Sequence, residues 1–290
     1  MKMPRLPLAD WVDVTVEWLT NHFEGFFEAL SEGLEWLVDA IVQVLELDFV
    51  NIGGNEAIST FLLMLIFTLF AWKIGNWKLG IFTLFGLLLI DNLGYWAEML
   101  ETLSLVLTSV AISIIVGIPI GIWASQNNTV NRVITPILDL MQTMPAFVYL
   151  IPAIFFFNIG VVPGIVASVI FAMPPAIRLT TLGIKQVPND LIEATHAFGS
   201  TTRQRLLKVQ LPLAMPTIMA GVNQSIMLSL SMVVISSMVG APGLGAEVYR
   251  AVTQIQTGMG FEAGISIVII AIILDRLTQN IGKNKQGGRM

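Results

Sequence analysis

The chain has 290 residues, of which 55% are hydrophobic and only 12% charged, with a formal net charge of −5 and no cysteine. Charged residues make up about a quarter of an ordinary soluble domain, so half that share together with long apolar runs marks an integral membrane protein. Disulfides, thiolate metal sites and cysteine nucleophiles are excluded, and no HExxH, GxSxG or Walker A pattern supports an autonomous hydrolase or ATPase.

Residues 1–56 hold 11 of the 20 acids, from Asp10 to Glu56, against only Lys2 and Arg5. The acids interrupt any signal-peptide core. Trp11, Trp18, Phe26, Phe27, Leu30, Leu34, Leu37 and Ile41 recur at roughly helical spacing, which predicts an amphipathic helix on the membrane surface or on the bundle. Two spans follow near 57–74 and 79–96, filling a region 57–100 and joined by a tight loop with Lys73 and Lys78. In the next region, 101–281, the uncharged residues 102–131 predict a span over 103–125. Residues 140–177 lack charge for 38 positions, too long for one crossing, and Asn158, Gly160, Pro163 and Gly164 supply the turn that splits them. Further spans are expected at 212–238 and at 262–281, the latter with Arg276 snorkelling to an interface. Residues 282–290 form a short basic tail with Lys283, Lys285 and Arg289, suited to anionic headgroups. The expected fold is all-α, a polytopic bundle of about seven spans.

Residues 185–212 form a charged loop between apolar runs. Pro188, Asn189 and Asp190 signal a helix start, and Asp190 with Glu193 makes a capping-box-like pair. Leu191, Ala194 and Phe198 share one face, Gly199 permits a left-handed turn, and Ser200 is placed to cap a second helix. Pro212 sits where a membrane helix can begin without wasting an amide. Read as spacing, the loop is Glu193, Ala194, Thr195, three residues, Gly199, nine residues, Val209, Gln210, Leu211, Pro212.

That spacing resembles the EAA loop of ABC importer permeases, with Thr195 and Val209 as small departures. Over about residues 100–281 the chain is similar to permease subunits of glycine betaine and proline betaine importers. The stretches that carry this are Asp139 to Tyr149, Phe155 to Gly164, Phe171 to Pro175 and Met238 to Gly245. The resemblance implies a type I importer core of five helices from 103 onward, plus two N-terminal spans and the amphipathic segment. It implies that Glu193, Ala194, Thr195, Phe198, Gly199, Leu211 and Pro212 couple the chain to an ATPase subunit. It also implies ATP-driven import of glycine betaine or a related quaternary ammonium solute, giving osmoprotection by alternating access. Choline, carnitine or another small solute stay open as cargo, as does a non-transporting membrane scaffold or sensor of the same fold. The permease needs no catalytic residue, metal or cofactor of its own, since ATP and Mg belong to the partner ATPase. The other implied partners are a second permease copy, an extracellular substrate-binding lipoprotein and membrane lipid, with no nucleic acid.

With the Glu193 loop cytoplasmic, 12 of the 15 Lys and Arg lie on or near the inner side, all but Lys2, Arg5 and Arg250. The positive-inside rule then places the N-terminus outside and the C-terminus in the cytoplasm, and the resemblance implies a bacterial plasma membrane. A path for solute needs polar groups within apolar helices. Candidates are Gln142, Thr143 and Tyr149 on the fourth span, and Asn223, Gln224 and Ser231 on the sixth, with Ser225 and Ser229 beside them. Gln142 and Tyr149 stand seven apart, as do Gln224 and Ser231, which predicts a shared helix face for each pair. Interhelical hydrogen bonds or dimer packing are the competing roles for any one of them. Asp139 and Arg178 are the charges nearest the spans on the inner half, placed for an ion pair or a gate.

Overall fold

The computed structural model describes residues 7–46 and 56–287, so Lys2, Arg5, Arg289 and the side chains of Lys283 and Lys285 lie outside the described part. Every element among the described residues is helical. The acidic segment forms two helices, α1 (Leu8–His22) and α2 (Glu24–Glu46), broken at Phe23. Only part of the expected apolar face is covered: Leu34 and Val38 are buried, whereas Trp11, Trp18, Phe26 and Leu30 are exposed. Phe27 fixes α2 in place, stacking on Phe156 at 4.5 Å between ring centroids and meeting Phe157 edge-on at 5.5 Å. The Ser104 hydroxyl donates to the Val38 carbonyl at 3.1 Å. The segment therefore rides on the bundle. Phe27→Ala is expected to speed proteolytic cleavage within residues 7–46 while insertion of the later helices is unchanged, and equal cleavage rates would remove the bracket from the account.

A hairpin of α3 (Glu56–Ile74) and α4 (Trp77–Asn92) follows. Asn76 starts α4, its side-chain oxygen accepting from the Leu79 amide at 2.9 Å, as an N-cap does. The long α5 (Trp96–Gln126) begins before the expected 103 and carries Pro119. Next come α6 (Asn128–Thr143) and α7 (Ala146–Phe157), then α8 (Val161–Lys185), entered through the expected turn at Asn158 and Gly160.

The fourth crossing, expected to start near 140, is not a straight span. Leu140 to Thr143 end α6, and α7 leaves at a bend of 99°. The cause is local. Pro145 cannot donate an amide and forces Met144 out of the helical region, to φ −72 and ψ 137. The Tyr149 hydroxyl then reaches back to the Leu140 and Met141 carbonyls at 3.0 and 2.8 Å, serving acceptors that a helix end leaves free. With 12 residues, α7 rises only about 18 Å, short of the roughly 30 Å hydrocarbon layer.

After a loop containing α9 (Asn189–Ala197) and α10 (Thr202–Arg205), a π-helical turn (Leu206–Gln210) runs into α11 (Leu211–Ser237). Then come α12 (Leu244–Thr253), which hydropathy alone does not announce, and α13 (Thr257–Gly287). Among the described residues four helices are long and apolar enough to cross: α5, α8, the continuous Thr202–Ser237 and α13 as far as Gly282. The bent α6–α7 pair makes up to five. The seven expected spans thus resolve into four full crossings, one broken pair and the shorter α3 and α4.

Helices α5, α8 and α11 form the centre. Lipid gives apolar faces no reason to leave it, so helices in a membrane associate by close fit and by small residues. A Cβ on Gly121 would sit 2.7 Å from the Ile177 carbonyl oxygen, and one on Gly221 would sit 3.0 Å from that of Pro175. Val106, Ile165, Ala172, Ala176 and Ile218 are buried on these three helices.

Candidate coupling loop and transport path

The loop begins at Pro188, which has no side-chain acceptor; its carbonyl takes the Leu191 and Ile192 amides at 3.2 and 3.4 Å. The expected Asp190–Glu193 capping pair is therefore not formed, because proline holds the cap and places Asp190 inside the first turn. There its charge still favours the positive end of the helix dipole. At the other end Gly199 lies at φ +69. Its amide bonds the His196 carbonyl at 2.9 Å, and the Ser200 amide bonds that of Thr195 at 3.0 Å, the pair of bonds that closes a Schellman motif.

Ser200 does not cap the second helix. Its hydroxyl donates to the Thr195 carbonyl at 2.6 Å, and Thr201 caps instead, exchanging bonds with Gln204 at 2.9 and 3.3 Å. The Thr-x-x-Gln spacing of a capping box was the available signal. Arg205 contacts Nε2 of His196, joining the two arms of the elbow. Leu191, Glu193, Ala194 and Phe198 are all exposed, Phe198 at 89%. Leu211 and Pro212 sit elsewhere: Leu211 packs against the buried cluster of Ile184, Ala214 and Ile218. Pro212 does not begin a separate membrane helix, because the helix is continuous from Thr202. The π turn makes this workable, the Leu211 amide bonding Leu206 five residues back next to a proline that has no amide. Sequence reasoning also missed Gln210, which is buried and accepts from Gln126 at 3.3 Å, tying the loop to the end of α5.

Of the path candidates, Gln142 and Thr143 are exposed at the end of α6. Tyr149 lies beyond the bend with its hydroxyl turned back, so Gln142 and Tyr149 do not share one helix face. Asn223 is engaged between helices: its amide donates to Asp275 at 2.8 Å, and its carbonyl accepts from Thr278 at 2.7 Å. Gln279 donates to the same Asp275 oxygen at 2.8 Å. Ser225 bonds the Ala172 carbonyl at 2.6 Å, and Ser229 is buried. Gln224 and Ser231 remain exposed together on α11, although the Ser231 hydroxyl already bonds Met227 at 2.9 Å. Arg178 on α8 donates to Asp139 on α6, with side-chain exposures of 39% and 57%. Such exposed pairs contribute about 0–1 kcal/mol, so the contact orients α6 more than it stabilises it. Among the described residues no group of three or more His, Cys, Asp or Glu could hold a metal ion.

A helical membrane bundle with an exposed helix, a glycine elbow and a second helix entering the core defines the permease class of ABC importer subunits. The fold agrees: 66% of the chain superposes on 95% of a chain of the inward-facing MetNI methionine ABC transporter, with a TM-score of 0.61 and 23% identity. Residues 117–285 match the binding-protein-dependent transport system inner membrane component family, and the chain belongs to it. Over 98% of both chains it is 66% identical to the glycine betaine transport system permease protein OpuAB of Bacillus subtilis. It is 54% identical to the glycine betaine/carnitine transport permease protein GbuB of Listeria monocytogenes, over 97% of both. It is also 46% identical to the glycine betaine/proline betaine permease ProW of Escherichia coli, over 97% of this chain and 77% of that one. The chain is thus a multi-pass membrane component that works with a separate ATPase and a substrate-binding protein.

Proposed function

We propose that this chain is the permease subunit of an ATP-driven importer of glycine betaine or a related quaternary ammonium solute, serving osmoprotection. The end-to-end 66% identity to OpuAB carries the reading of the cargo. Two copies would form the path in a bacterial plasma membrane, N-termini outside and C-termini in the cytoplasm, with ATP and Mg held by the ATPase pair. In this reading Leu191, Ala194 and Phe198 enter a groove on the ATPase, and Glu193, Thr195 and Gly199 set the shape of the elbow. Leu211 and Pro212 carry the motion into α11. Gln210 passes it to α5, so that ATPase closure rotates the core helices between inward-facing and outward-facing states. Asp139 and Arg178 lie where α6 meets α8 and would open or close the inner mouth.

The test is uptake of labelled glycine betaine into proteoliposomes holding this chain with its ATPase and binding protein, ATP inside. Accumulation that depends on ATP is the expected result, and none from an intact, ATP-hydrolysing complex would remove betaine from the claim. The printed name of GbuB favours carnitine as a second cargo, and competition by unlabelled carnitine measures it. Of the polar candidates on α11, Gln224 and Ser231 are exposed without a bond to another helix, and Ser231 already bonds Met227 within its own helix. Gln224→Ala is therefore expected to change the transport rate severalfold without altering affinity for the binding protein. A loss of ATPase assembly in that variant would instead make Gln224 a packing residue.

A further inference from the structure

Where α5, α8 and α11 meet, a void of about 10 Å³ lies among buried residues, lined by Ser109, Ser168, Ser229 and Ser236 between Leu105 and Val233. Four hydroxyls at one level of a three-helix junction need a hydrogen-bond account. Ser236 donates to the Gly164 carbonyl at 3.1 Å. A hydroxyl has one proton, so the 3.3 Å contact between Ser168 and Ser236 is made by the proton of Ser168. The lone pairs of Ser168 are then left for another donor. Ser229 is 2% exposed, and its hydroxyl reaches no hydrogen-bond partner in the protein.

A buried hydroxyl left without a partner costs about 1–3 kcal/mol, and at membrane depth backbone and side chains must find partners inside the protein. The void is about the size that one water requires, roughly 10–15 Å³, and a buried water needs two to four polar partners. No charged side chain lines it, so a neutral ligand fits better than an ion.

We propose that a single water molecule occupies this junction, accepting from Ser229 on α11, donating to Ser168 on α8 and reaching Ser109 on α5 as a third partner. The water would complete the hydrogen bonding of all three core helices at one point. Because it can exchange partners, it would let α8 and α11 shift against each other without stranding a hydroxyl. The proposal does not depend on which cargo is carried.

The experiment is a cryo-EM map of the complete complex at a resolution that shows ordered water, for the wild type and for the combined Ser168→Ala and Ser229→Ala substitution. One density within hydrogen-bonding distance of both serines, lost in the variant, is the expected result. Radiolytic hydroxyl labelling gives a second readout, since side chains beside a held water are modified even where bulk water does not reach. Labelling of Leu105 and Val233 should fall severalfold in the variant. A wild-type map that resolves other buried waters but not this one would overturn the proposal. So would unchanged labelling, or a density held well inside hydrogen-bonding distance as a cation is.

Discussion

Gly199→Trp is expected to abolish uptake while the protein still inserts and folds. Gly199 is held at φ +69, and a Cβ built there would meet nothing within 4 Å, so the substitution injures conformation and surface without touching a packed core. A left-handed backbone costs an L-residue about 1–2 kcal/mol, enough to shift the elbow population by a factor of roughly 5–30. The indole would also stand beside Phe198, on the surface proposed to dock on the ATPase. Gly199→Asn is the control, because asparagine tolerates the left-handed region better than other side chains; it should keep most of the activity. Uptake and ATPase turnover in proteoliposomes measure both, and normal flux in the tryptophan variant would refute coupling through this elbow.

The second large effect is expected just past the end of α11 that lies opposite the coupling loop. Gly243 lies at φ 102 and ψ −168, a region that essentially only glycine occupies. A Cβ there would come within 2.5 Å of the Thr102 hydroxyl oxygen and 3.1 Å of the Glu98 carbonyl oxygen. That same hydroxyl accepts from the Leu244 amide at 2.8 Å and donates to Glu98 at 2.7 Å. It is the joint by which α5 caps α12. Gly243→Ala combines backbone strain with overpacking at roughly 2–5 kcal/mol in all. The thermal midpoint of the solubilised protein should fall by about 5–15 °C. Gly258→Ala, with open space at its Cβ, should leave the midpoint nearly unchanged, and a matching drop in both would show that the joint has no special weight.

These two glycines differ in how far they could be read from sequence. Gly199 stands at a fixed distance from Glu193 and Pro212, and the change from apolar run to charged loop marks its surroundings. Gly243 sits in a turn-rich stretch, but its tight contact with Thr102 is made across the fold, where spacing is silent. The uncharged runs placed α5, α8 and α11 well, because a membrane span needs little beyond length and apolarity. They misplaced the fourth crossing, since hydropathy weighs Met144 and Pro145 as apolar and does not see the proline forcing its neighbour out of the helix. The capping pair at Asp190 failed for a related reason: a carboxylate at a suitable spacing does nothing when proline occupies the cap itself. Asn223 was legible as a polar residue in an apolar helix, but its partner Asp275 lies 52 residues away, and only packing brings them together. Gln210 and the split at Phe23 left no clear mark in the pattern at all.

The aromatic bracket between Phe27 and the pair Phe156 and Phe157 ties the acidic segment to the far end of the broken α6–α7 unit. Because α2 is also held on α5 through Val38 and Ser104, it bridges the tip of α7 to the central helices, and a tilt of α7 must load one of the two contacts. A fluorophore at Trp36, exposed on the free side of α2, would then report that load, with no label placed in α6 or α7.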